Sequence, residues 1–305
     1  GDRVLRRVNR VHEHVGGVGE LVLQEAVAPV AVAVRGVGSA QDDEITASSL
    51  SSTIYGGLGN DKLYGGIAAD VLDGQGGDDI IASDLGADQI VGGSGVDTAD
   101  YRNSNAAVTL SSDGTTGAGG WAQGDTLSGI EKIEGSLNYG ATLRGNTLTS
   151  TTLWGWGGND TFVSFSQADA VDGGSGTDTI DYSGSLAGVT VRLDGTASSG
   201  GDAAGDTILN VEHVIGSGLD DTIIGTGVNE TLEGGAGDDT LVGGSGADTL
   251  DGGAGFDTAD YSSSGGISVR MDGLAGTAGD ANGDILLNIE KVIGSSLADI
   301  IIGSA

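Results

Sequence analysis

The stretch GGLGNDKLY, residues 56–64, packs three glycines, the carboxylate Asp61 and the aliphatic Leu63 into nine residues. Stepping outward from it by nines returns the same pattern. From Gly38 the chain reads GSAQDDEIT, ASSLSSTIY, GGLGNDKLY, GGIAADVLD, GQGGDDIIA, SDLGADQIV and GGSGVDTAD without a slip. Position six is Asp43, Ser52, Asp61, Asp70, Asp79, Asp88 and Asp97; position eight is Ile45, Ile54, Leu63, Leu72, Ile81, Ile90 and Ala99. The register resumes at Asn146 with NTLTSTTLW, GWGGNDTFV, SFSQADAVD and GGSGTDTID. It resumes again at Gly216 with GSGLDDTII, GTGVNETLE, GGAGDDTLV, GGSGADTLD and GGAGFDTAD, and once more at Gly294 with GSSLADIII. Of these 17 units, 14 carry Asp at position six and one carries Glu230, with Ser52 and Thr151 as exceptions. A carboxylate held in phase over that many units signals a repeat architecture.

A slower period overlies the fast one. Asp97, Asp178 and Asp257 open the related passages TADYR, TIDYS and TADYS, and Tyr101, Tyr182 and Tyr261 are 81 and 79 residues apart. Three modules follow: 38–145, 146–215 and 216–305, the last including the start of a further block, preceded by an upstream segment, 1–37, expected to connect or cap. Separators of 45, 34 and 33 residues run through AVTL, VTVRLD and SVRMDG, whose alternation reads as short strands. They then pass a Gly/Asp loop (GDTL, GDTI or GDIL) and end in IEKIEGS, VEHVIGS or IEKVIGS. Whether they are looser turns of the same coil or excursions from it is open at this level.

Composition narrows the class. With 60 Gly in 305 residues and aromatics at 4%, the chain has too little apolar bulk for an ordinary globular core, so it must either repeat or stay disordered. The net charge of −32 disfavours nucleic acid and anionic membranes and attracts cations. Residues 1–37 hold five Arg against four acids, and the remainder seven basic residues against 40 acids, so the acidity belongs to the repeats. The absence of Cys excludes disulfides and thiolate metal sites. No run approaches the roughly 20 apolar residues of a membrane span, and direct membrane insertion is not expected. AVAPVAVAV, residues 26–34, is too Ala-diluted to be read as a signal-peptide core. The chain is read as a fragment of a larger protein.

Within each unit the last residues, as in DTLVG, suit a short strand with one inward aliphatic, and the glycine-rich half suits a turn that needs positive φ or close backbone approach. Two units then make one turn of a flattened parallel coil, with unit n lying above unit n+2. Stacked strands are about 4.8 Å apart and Ca²⁺–oxygen distances are about 2.3–2.6 Å. A cation between two stacked loops therefore reaches oxygens of both: glycines aim carbonyls and the aspartate adds charge.

The units resemble the RTX (repeats-in-toxin) hemolysin-type nonapeptide G-G-x-G-x-D-x-U-x. The resemblance covers residues 38–305 and is closest in GGLGNDKLY, GGAGDDTLV and GGAGFDTAD. It implies an all-β fold, a right-handed parallel β-roll or β-helix solenoid, that binds several Ca²⁺ ions and folds because of them. The implied sites join Asp61 with Asp79, Asp70 with Asp88, Asp79 with Asp97, Asp160 with Asp178, Asp239 with Asp257, and Glu230 with Asp248. Asp43 with Asp61 and Asp221 with Asp239 are weaker, because Gln41 and Leu219 replace the position-four glycine. Ser52 and Thr151 leave their sites empty or feeble, and GSLNYGATLRG, 135–145, lacks the expected Asp. The carbonyl-bearing glycines are Gly57, Gly59, Gly77, Gly95, Gly158, Gly176, Gly235, Gly237, Gly246, Gly253 and Gly255. Proteins resembling this are secreted, extracellular bacterial ones, which implies type I secretion and a larger parent chain. A non-catalytic calcium-binding region is the expected function. The alternatives are a module attached to a polysaccharide-modifying enzyme, an epimerase or lyase, with a sugar-binding face, or a spacer of a cell-surface adhesin or S-layer protein.

Blander readings stand beside these. An isolated Asp in a glycine-rich turn usually forms an Asx turn with its own backbone. Asp202 with Asp206 and Asp280 with Asp284 are read as solvated loop residues rather than an extra ion site. His12 and His14 flank Glu13 without a third ligand and are read as structural. Trp154 and Trp156 are expected to pack beside Phe162 and Phe165 rather than stack on sugars, and the sequons at Asn159 and Asn229 fall inside repeats and are read as chance. Val4, Val8, Val11, Val15 and Val18 have helical spacing but poor helix propensity. No H-E-x-x-H or G-x-S-x-G occurs, so no catalytic site is expected.

Overall fold

Strands of three to seven residues form because each unit offers one run of β-favouring residues between glycine turns. The computed structural model describes residues 20–22, 34–163 and 166–303. The expectations for 1–19, for His12 and His14, for Phe165 and for all of 26–34 but Val34 lie outside the described residues. Among those described, every strand-to-strand ladder is parallel, and the only helices are three single 3₁₀ turns, Gly120–Ala122, Gly201–Ala203 and Gly279–Ala281. None of them is a helix long and apolar enough to cross a membrane.

The stacking follows the two-unit turn. Lys62–Tyr64 pairs with Ile80–Ala82, Lys62 facing Ile80, and Ser52–Leu58 pairs with Val71–Gly76, Thr53 facing Val71; both steps are eighteen residues. Successive units thus alternate between two sheets. The first sheet has nine strands, from Glu20–Val22 to Thr207–Leu209, and the second has five, from Val34–Val37 to Thr126–Ser128. Glu20–Val22 and Val34–Val37, upstream of the first regular unit, are already rungs of these sheets. The fold is the parallel β-roll the repeat implies.

Each separator exchanges one sheet for another. In the first, Val108–Ser111 founds a third sheet, an antiparallel bridge between Thr109 and Ala118 turns the chain back, and Thr126–Ser128 closes the second sheet on Gln89–Ser94. Lys132–Glu134 then resumes the first sheet on Thr98–Asp100. The second separator founds a fourth sheet with Thr190–Arg192 and closes the first with Thr207–Leu209 on Ala170–Asp172. The third founds a two-stranded fifth sheet with Ser268–Arg270 and closes the third with Ile285–Leu287. The stretches read as Gly/Asp loops, GDTL, GDTI and GDIL, therefore run straight into strands, because a step of 36 or 37 residues puts them in register with an exposed sheet end. The separators are both excursion and coil.

Position eight is buried in every unit but the last, GSSLADIII, where Ile301 stays exposed. Ile45, Leu63, Ile81, Ala99, Ile133, Leu153, Val171 and Ile208 stack down the first sheet; Leu110, Leu143, Phe162, Ile180, Val214, Leu232, Leu250 and Leu286 stack down the third. All are buried. Period-two alternation sends their neighbours outward, leaving a core one aliphatic wide.

Candidate metal centre

Position six lies just before the strand, where the chain turns in from the glycine loop. Its carbonyl serves the sheet: the Asp61 carbonyl accepts the Ile80 N–H and the Asp79 carbonyl accepts the Thr98 N–H. Its own N–H has no strand partner and donates instead to the carboxylate one full turn on. Asp43 N–H reaches Asp61 Oδ1 at 2.8 Å, Asp61 N–H reaches Asp79 at 2.8 Å, and Asp79 N–H reaches Asp97 at 2.9 Å. The same bond joins Asp70 to Asp88, Asp160 to Asp178, Asp221 to Asp239, Asp239 to Asp257 and Glu230 to Asp248, at 2.7–2.9 Å. Every pair expected from the repeat is brought together, and none as a local Asx turn with its partner. Ser52, Thr151 and Ala141 donate up their rows to Asp70, Asp169 and Asp160 and contribute no carboxylate of their own.

The second carboxylate oxygen is the informative atom. Among the described residues, Oδ2 of Asp61, Asp79, Asp97, Asp160, Asp178, Asp239, Asp248 and Asp257 and Oε2 of Glu230 are buried without any hydrogen-bond partner. An unpaired buried carboxylate oxygen is costly, and nine of them in rows call for a shared counter-charge. Desolvation is the leading reason that the Asp61, Asp97 and Asp239 carboxyls are pushed up to about 6 and Asp160 to about 7; cross-rung N–H groups oppose it, and neighbouring carboxylates reinforce it. Asp79, Asp178, Asp257, Asp248 and Glu230 shift upward for the same leading cause. Asp70, Asp88 and Asp221 differ: their second oxygens accept from Gly66 N–H, Ser83 Oγ and Ser217 N–H.

The glycines form the rest of the cradle. All eleven expected from the repeat take φ between +93° and +156°, the left-handed region that disfavours side chains. The first glycine of each unit, which the sequence reading left out, matters as much. A Cβ on Gly56 would lie 2.3 Å from Asp61 Oδ2 and 2.7 Å from the Gly74 carbonyl; on Gly155 it would lie 2.2 Å from Asp160 Oδ2 and 2.7 Å from the Gly173 carbonyl. Carboxylate and backbone carbonyls thus converge where a side chain would otherwise sit. Among the described residues no three Asp, Glu or His side chains meet at one point, so a cation in these rows would draw much of its coordination from carbonyls. An all-oxygen donor set fits a hard divalent ion.

Two further features were not read from the sequence. Position five forms an outer ladder in which Asp42, Asn60 and Asp78 accept the N–H of Asn60, Asp78 and Val96; the recurring Asn or Asp before position six was its signal. The rows also run into the separators, where the backbone N–H groups of Asp97, Asp178 and Asp257 donate to Oε2 of Glu131, Glu212 and Glu290. Asp206 and Asp284 are fully buried rather than solvated, because each enters a row at a closing strand. Asp202 and Asp280 sit in the 3₁₀ turns.

Trp154 and Trp156 do not pack beside Phe162. Phe162 points into the core, while strand alternation turns Trp154 outward, edge to face with Trp156 at 5.4 Å. Lys132 Nζ sits 3.7 Å from the Trp154 ring centroid and the Arg102 guanidinium 5.8 Å from that of Trp156, so cations already occupy a face of each ring. His213 pairs with Glu233 at the surface.

Fold and rows together define a solenoid of nonapeptide repeats lined by stacked, buried carboxylates. Comparison with family models finds four copies of the RTX calcium-binding nonapeptide repeat, at residues 37–72, 64–99, 150–180 and 224–259. Those stretches therefore carry RTX calcium-binding repeats and support a calcium-binding repeat region. No curated protein matches the chain.

Proposed function

We propose that this chain is the non-catalytic β-roll region of a larger secreted bacterial protein, and that it folds when it meets Ca²⁺ outside the cell. The observation that carries the reading is the set of nine buried, partnerless carboxylate oxygens. Asp61, Asp79 and Asp97 would hold ions along the first sheet, Asp160, Asp178, Glu230 and Asp248 along the third, and Asp239 and Asp257 along the fourth, each with carbonyls of the glycine loops. Asp70, Asp88 and Asp221 rank below these, since protein donors already serve them. Bound Ca²⁺ supplies the positive charge that lets stacked carboxylates stay ionised. Without it the rows repel, and the one-aliphatic core is a weak counterweight. Low cytosolic Ca²⁺ would keep the chain open for export, and the extracellular ion would close it.

Far-UV circular dichroism of the chain during a Ca²⁺ titration, with Mg²⁺ as control, tests this. A cooperative rise in β signal with Ca²⁺ alone is expected. A fold already complete in chelator would refute it.

A further inference from the structure

Each separator buries one tyrosine and one aspartate against each other. Tyr101, Tyr182 and Tyr261 are at most 3% exposed, and Asp125, Asp206 and Asp284 are fully buried. The three hydroxyls donate to Oδ2 of Asp125, Asp206 and Asp284 respectively, each at 2.7 Å. Oδ1 of the same aspartates accepts the N–H of Asp88, Asp169 and Asp248 at 2.8–2.9 Å. These aspartates are therefore the last carboxylates of their rows. Their own N–H groups turn back into the 3₁₀ turns, to the carbonyls of Ala122, Ala203 and Ala281, and pass nothing upward.

The position of the pair gives it meaning. Asp125, Asp206 and Asp284 immediately precede Thr126–Ser128, Thr207–Leu209 and Ile285–Leu287, the three strands that close the second, first and third sheets. A cation between rungs draws ligands from the loop below and the loop above. At a closing strand no further rung of that sheet supplies an upper loop, so half the coordination sphere would lack ligands. We propose that the tyrosine hydroxyl stands in for the cation at these three places, so that each sheet ends in a metal-free Tyr–Asp latch while ions are confined to the rungs beneath. The contrast within one module supports it: the row of Asp61, Asp79 and Asp97 leaves every second oxygen unpaired, whereas Asp70, Asp88 and Asp125 all have protein donors. The consequence is a roll with fewer ions than carboxylate rungs and with boundaries that set without metal.

This inference rests on the calcium reading above, and ion counting separates the two. Equilibrium dialysis of the whole chain at saturating Ca²⁺ gives the number of ions bound by the wild type, Asp125→Asn and Asp79→Asn. The latch requires Asp125→Asn to match the wild type while Asp79→Asn binds fewer ions. A count lowered by Asp125→Asn overturns the latch and leaves the calcium reading intact; a wild type that binds no Ca²⁺ overturns both. Should Asp125→Asn fail to fold, Tyr101→Phe removes only the hydroxyl. An equal or larger ion count with a lower thermal midpoint supports the latch, and a smaller count refutes it.

Discussion

Gly74→Ala probes the cradle with a single methyl group. The added Cβ would lie 2.1 Å from Asp79 Oδ2 and 2.6 Å from the Gly92 carbonyl, so the carboxylate oxygen must retreat by about 1.2 Å to reach an ordinary C···O separation of about 3.3 Å. Retreat also drags Oδ1, which holds the Asp61 N–H at 2.8 Å. Overpacking of this kind costs about 1–3 kcal/mol. If one ion is lost as well, the deficit grows by about 2.7 kcal/mol at free Ca²⁺ of 100 times its Kd, for a total of about 4–6 kcal/mol. Urea denaturation at two saturating Ca²⁺ concentrations ten-fold apart separates these contributions. Each bound ion adds about 1.4 kcal/mol of stability per ten-fold rise, so the gap between variant and wild type should widen by at least that amount. Gly184→Ala is the control, because a Cβ there meets nothing within 4 Å and the change should lie within about 1 kcal/mol of neutral. A Gly74→Ala protein as stable as the control would refute the cradle, and a large gap that does not vary with Ca²⁺ would refute the ion beside Asp79.

Protons and Ca²⁺ should compete for the same oxygens. The folded, cation-free roll holds protons at Asp61, Asp97, Asp160 and Asp239 with values of about 6 to 7 against an ordinary 3.8. It therefore binds protons more tightly than the unfolded chain. Cation-free stability should be fully present below the ordinary value and be lost as pH rises through about 6 to 7, whereas Ca²⁺ affinity should fall as pH drops through the same window; calorimetric titrations at several pH values would read both, and affinity that improves on acidification would contradict the assignment. In the core, Leu72→Ala removes a fully buried side chain and should cost about 2–5 kcal/mol in urea denaturation at saturating Ca²⁺. Leu186→Ala, 95% exposed, should stay within about 0.5 kcal/mol, and equal effects would contradict the inward placement of position eight.

Much of this protein is legible in the nine-residue register. Once position eight is an inward aliphatic and two units make a turn, residue i must face residue i+18, so Leu72 meets Ile90 and Asp79 meets Asp97 without any further information. The left-handed glycines follow in the same way, since Gly77 and Gly95 fall where backbone approaches backbone. What the register could not supply lies where the period breaks. Between Asp88 and Asp125 the step is 37 residues, and local chemistry does not say which sheet end such a segment will reach. Parallel pairing is set by whichever strand is left exposed after the chain turns back. Nor can spacing tell a carboxylate oxygen without a protein donor from one sealed by Tyr101, because that hydroxyl arrives from outside the unit, 24 residues from Asp125; Ser83, in the same nonapeptide as Asp88, was a local signal instead. The repeat by itself determined the roll and its stacked carboxylates. The tertiary structure decided where sheets end, which aspartates are sealed by a hydroxyl and which are left for a cation, because those choices depend on long-range packing that a local nine-residue rule does not encode.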